Sequence, residues 1–317
     1  WTAAALNSAV YDCFGTLNIP VSFLSVEFIH DQMEGEISGE AHPKEYTMNR
    51  QESMRKLANL VQAERGLLPE LVHDAMYRRT KVRLGIVYEG LASRARTQAT
   101  FDCFVQHDLA QCKQNFYLAS KLYSKAQGLD GWSGSLLGMY ALCALLSDDE
   151  GVINDLAGIE SPKLLSARDN LKSPEALDYK FQLAILGRDR ELGELIEETA
   201  RKGSKADRQA ISDGEYFFSL LLSRDSRKLK DLIEKRHANI RCAWPEFENF
   251  ISYLGTIETK ICWRRGIQIE IDHPLVPMEL MPVKPLDHYD DVYDFLKPGW
   301  VPPPQGLIGR VSRWFKT

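Results

Sequence analysis

Long apolar runs are scarce in this chain of 317 residues. The longest, LLGMYALCALL at 136–146, is too short to span a bilayer and is expected as a buried helix, so no membrane partner is expected. An excess of basic charge is missing too. The 39 Lys and Arg against 44 Asp and Glu give a net charge of −5, which offers no footprint for nucleic acid. The same mild acidity suits a basic protein partner. None of the six cysteines (Cys13, Cys103, Cys112, Cys143, Cys242, Cys262) forms a C-x-x-C pair, which argues against a zinc or redox motif. Most lie among apolar residues, as Cys143 does in MYALCALL, and read as buried thiols of a reducing compartment. No leader-peptide pattern is visible, and a cytoplasmic location is expected. Period-2 runs of aromatic and β-branched residues are also rare, so no parallel sheet is expected.

What remains is an ordinary globular composition, 44% hydrophobic and 26% charged. The length fits one large or two medium units with enough core to fold without staples. Helical spacing dominates. EYTMNRQESMRKLANLVQAERG (45–66) places Met54, Leu57, Leu60 and Val61 on one face and is expected to stop at Gly66. A second helix is expected over 67–92, with Pro69 in its first turn. A third is expected over 100–128 and another over 246–266.

The middle of the chain repeats. LLGMYALCALLSDDEGVINDL, YKFQLAILGRDRELGELI and EYFFSLLLSRDSRKLKDLI each read as an apolar helix, a polar turn ending in Asp, and a second helix. Asp149, Asp189 and Asp225 align at spacings of 40 and 36 residues. The second helices carry Val152/Leu156, Leu192/Ile196 and Leu229/Ile233, pairs four apart that share a face needing a neighbour. The expected fold is all-α: antiparallel helical hairpins packed in series, partly solenoid-like, with at most a short extended or β segment near 267–272. Three regions are expected: an N-terminal helical region (1–98), a hairpin domain (99–285), and an acidic helix with a Pro-rich, basic tail (286–317).

Several stretches suggest chemistry. YDCFGTL resembles the nucleophile motif of the haloacid-dehalogenase superfamily, with Asp12 as attacking carboxylate. The preceding TAAALNSAV does not read as a buried strand, and β–α alternation is missing, so a phosphohydrolase is the weaker alternative. GWSGS at 131–135 lacks the second glycine of a nucleophile elbow; Ser133 or Ser135 reads better as a helix cap. Cys103, His107 and Cys112 have no fourth ligand nearby, so neither a metal nor a cofactor is expected. The acidic run DHYDDVYD sits in a helical pattern and interleaves tyrosines with carboxylates. That mix suits an interface with a basic partner, formed by Asp287, Tyr289, Asp290, Asp291 and Tyr293.

Three further segments carry a family resemblance: CKQNFYLASKLYSKAQG, LDYKFQLAILGRDRELGELI and ICWRRGIQIEIDHPLVPMELM. Together, over roughly residues 100–282, they resemble the immunity protein 49 family of bacterial polymorphic-toxin systems. The resemblance implies a helical protein without catalysis of its own, one that binds a cognate toxin domain and neutralises it. A helical-repeat scaffold for an endogenous protein or peptide is the other binding alternative. A toxin gene beside this one would separate the first from the second, and phosphatase activity lost in Asp12→Asn would mark the enzyme.

Overall fold

The computed structural model describes residues 50–129, 139–173, 175–240 and 246–304. Asp12, the GWSGS stretch with Ser133 and Ser135, and the basic end of the tail lie outside the described residues. Among the described residues the fold is all-α, with no strand or sheet.

Helices α1 (Arg50–Tyr77), α2 (Leu84–Phe101) and α3 (Leu109–Ala126) form an antiparallel trio. Their direction follows from the contacts: Arg65 meets Gln98 while Arg79 meets Tyr88, and Asp102 meets Asn115 while Arg96 meets Tyr123. Neither Gly66 nor Pro69 interrupts α1. Both face solvent, where the glycine costs only helix propensity and the carbonyl left without an amide partner is exposed to water. Leu57, Val61 and Ala75 hold the helix to the core on either side of them. The helix expected over 100–128 is broken instead. A π-helical turn at Asp102–Gln106 ends in left-handed His107 (φ 55°), and Asp108 then caps α3 by accepting from Gln111 N at 3.0 Å.

The three repeats are three hairpins. They comprise α4 (Met139–Ser147) with α5 (Glu150–Ala157), α7 (Glu175–Ile185) with α8 (Asp189–Lys202), and α10 (Phe217–Ser223) with α11 (Ser226–Lys235). Short α6 (Pro162–Ala167) and α9 (Lys205–Asp213) connect them. Each turn contains one left-handed residue, Asp148, Gly187 or Arg224. In the second and third, Arg188 N and Asp225 N reach back to Leu183 O and Leu220 O, a Schellman closure. Asp149 and Asp225, the last residues of their turns, are N-caps, bonded to Val152 N at 2.8 Å and Lys228 N at 3.0 Å. Asp189 departs from the pattern: it opens α8 and takes Arg265 at 2.5 Å. All three i,i+4 apolar pairs are buried.

Helix α12 (Tyr253–Arg264) contacts α4, α7 and α11 and so closes the hairpin array along one side. It begins later than the sequence suggests. Residues 246–250 are a hydrogen-bonded turn because Glu246, Phe247 and Phe250 all point into the core. After Gly266 (φ 70°), Ile267, Ile269 and Ile271 alternate inward as expected, without a partner strand. Side chains take that strand's place: Trp263 Nε1 donates to Ile269 O at 2.8 Å, Lys230 to Glu270 O at 2.7 Å, and Asp272 N donates to Glu234 at 2.7 Å. The boundary expected at 98/99 falls inside α2, whose faces are covered by α1 and α3.

Candidate functional site

The acidic run at 287–294 is not helical. It forms an extended strap that ends in a short 3₁₀ turn at Asp294–Leu296. The helical spacing of its tyrosines is overridden because the strap lies across α3 and must turn alternate residues inward. Tyr289, Asp291, Tyr293 and Phe295 face the helices, while Asp290, Val292 and Asp294 face solvent.

The strap is anchored by a buried ionic hub. Asp148, in the left-handed turn between α4 and α5, is fully buried with Oδ1 2.7 Å from Lys260 Nζ and Oδ2 2.7 Å from Lys113 Nζ. Its Oδ2 also accepts Lys284 N at 3.2 Å, and Lys113 Nζ donates to Lys284 O at 2.6 Å. Lys260 donates at 2.6 Å to Leu280 O, with Met281 O and Pro282 O at 3.2 and 3.3 Å. Two ammonium groups thus hold both a carboxylate and the backbone that leads into the strap. Burial pushes the Lys260 pKa down to about 8, against the opposing pull of Asp148.

Beyond the hub, contacts follow in register along the strap. Tyr289 packs at a tilt on Tyr117, ring centroids 4.8 Å apart, accepts Leu286 N at 3.0 Å and donates to Ser147 O. Burial first, then the charges of Asp148 and Asp149, push its phenol up to about 12. Gln114 grips the Asp290 backbone from both sides, each bond 2.9 Å. Asp291 accepts Tyr117 Oη at 2.9 Å and Lys121 Nζ at 2.8 and 2.9 Å. Burial opposes the Lys121 charge, but Asp291 and Tyr117 together outweigh it and the lysine pKa is raised. Tyr293 stacks on Phe295 at 5.1 Å, and Phe295 meets Tyr88 and Trp300.

The five residues expected at an interface therefore divide. Asp287 and Asp290 are exposed, with His288 3.1 Å from Asp290. Tyr289 and Asp291 face inward as fasteners, and Tyr293 faces inward over a groove between α1, α2 and α3. Sequence reasoning missed Val292, exposed by 56% between the acids. It also missed Asp148 and its lysines. Lys260 gave one legible signal, a charge three residues after Ile257 and so near its buried face.

Several other perturbed groups are sealed in the core. Arg96 pairs with Glu246 and bonds Tyr123, all three buried. Nearby Glu89 is raised to about 7 by burial. Cys103, Cys112, Cys143 and Cys262 are free and buried, as expected of such thiols, while His107 is exposed. Among the described residues no group of three or more His, Cys, Asp or Glu is placed to hold a metal ion, and no helix is long and apolar enough to cross a membrane. No family model, curated protein or solved structure matches the chain.

Proposed function

We propose that this protein binds a basic toxin domain and neutralises it by direct contact through the outer face of the strap. One observation carries the reading: an extended segment, fastened to the helices at Tyr289, Asp291 and Phe295, presents Asp287, Asp290 and Asp294 around exposed Val292. Acidic residues ringing an apolar contact match the rim and centre of a protein interface. Fastening matters because a segment already held in its bound shape loses little freedom on association. The acidic ridge speeds encounter with a basic partner, and a contact of standard size buries about 1,600 Å² in total. The likeness of residues 100–282 to the immunity protein 49 family supports the same role, in which the chain itself performs no chemistry.

The test starts with the tagged chain as bait in its native cell, where a toxin domain should co-purify with it. Asp287→Lys combined with Asp290→Lys leaves the inward fasteners intact, so folding is preserved. Association should slow by about tenfold at low salt, with a smaller effect at high salt, where charges are screened. Recovery of no toxin, or an association rate indifferent to both reversals, overturns the proposal.

A further inference from the structure

The groove beneath Tyr293 holds a volume of about 150 Å³ that nothing in the proposed function uses. One face of α1 supplies Val61 and Leu68, and α3 supplies Leu118. With the Tyr293 ring, these make the apolar wall of a half-open groove. A cavity of this size accommodates one six-membered ring, as an apolar cavity of the same volume does for benzene.

The groove's polar groups do not balance. Gln98 Nε2 and Asn115 Nδ2 each donate to one oxygen of Asp102, at 2.7 and 2.8 Å, so the carboxylate's charge is spent on the two carboxamides. Arg65 lies at the mouth, 3.4 Å from Gln98 Oε1. Half-buried Arg94 bonds two backbone carbonyls, Gly90 O at 2.7 Å and Glu64 O at 3.4 Å. Among the described residues Glu64 is the one acid lining the groove. Burial, then the neighbouring charge of Glu246, raises its pKa. Arg94 makes no ion pair among the described residues, its N–H groups being given to those two carbonyls, and burial lowers its pKa.

We propose that this groove binds a small carboxylate with a ring-sized apolar body, its ring between Leu68, Leu118 and Tyr293 and its carboxylate between Arg65 and Arg94. The site is independent of the toxin-binding reading, because it lies on the inner side of the strap.

Benzoate is the probe, titrated into the full chain by calorimetry, with benzamide as the neutral analogue of equal shape. Benzoate should bind saturably and at least about tenfold more tightly than benzamide, as expected where charged hydrogen bonds decide affinity. Arg65→Gln and Arg94→Gln should each remove most of that preference, while Arg188→Gln, a surface control, should leave it intact. Circular dichroism checks that each variant is folded; if Arg94→Gln is not, the exposed Arg65→Gln decides alone. Equal binding of the two probes, no saturable binding of benzoate, or affinity indifferent to Arg65→Gln overturns the proposal.

Discussion

Asp148→Asn tests whether the ionic hub fastens the strap. Asparagine keeps the shape of aspartate and tolerates the left-handed φ of 63°, so the change removes a charge and little else. Lys260 and Lys113, each 2.7 Å from the carboxylate, would then face a neutral amide inside the protein. Breaking a buried ion pair in this way costs about 3–5 kcal/mol. That is a large share of the roughly 5–15 kcal/mol that holds a protein folded. The penalty has a pH signature. Lys260 titrates near 8 in the folded protein and near 10.4 unfolded, so the unfolded chain binds more protons between those values and stability rises with pH across that window. Asp148 is the group that raises the Lys260 pKa, so removing it leaves the amine neutral at lower pH. At pH 9 the wild-type amine has itself lost most of its proton, and the gap between variant and wild type narrows by about 1 kcal/mol relative to pH 7. Urea unfolding followed by circular dichroism at both pH values measures this. A loss below about 1 kcal/mol at pH 7, or a penalty equal at pH 7 and pH 9, refutes the assignment.

Two core positions make opposite claims. Lys180 is buried with its nearest acid, Asp207, 3.6 Å away, and burial lowers its pKa. Lys180→Met should therefore leave the urea midpoint unchanged or raise it, since replacing a poorly paired buried charge with an apolar side chain is often stabilising. A fall of more than about 1 kcal/mol would mean the ammonium is better satisfied than the geometry implies. In α12, a Cβ on Gly255 would sit 2.8 Å from Ala238 Cα, so Gly255→Ala should lower the thermal midpoint, by about 1–3 kcal/mol in stability. Helix propensity alone predicts the opposite sign, so a raised midpoint would show that the two backbones can separate freely.

Much of the scaffold was written in local sequence. The i,i+4 apolar pairs Val152/Leu156, Leu192/Ile196 and Leu229/Ile233 located the second helix of each hairpin, and Asp149 and Asp225 located the starts of two of them. These features depend on neighbours within a few residues, where spacing and capping act directly. The alternation of Ile267, Ile269 and Ile271 likewise specified an extended segment with one buried face. Tertiary structure decided the rest. DHYDDVYD has spacing compatible with a helix, and it is the surface of α3 that draws it into an extended strap, with Tyr117, Lys121 and Gln114 about 170 residues away in sequence. Asp148 is an ordinary polar turn residue until the fold brings Lys113 and Lys260 to it. The groove under Tyr293 exists only where three helices and the strap meet. The local sequence determined where helices form and which faces they bury. Which charges share a buried site was left to the packing, because that energy arises only once distant groups have been brought together out of water.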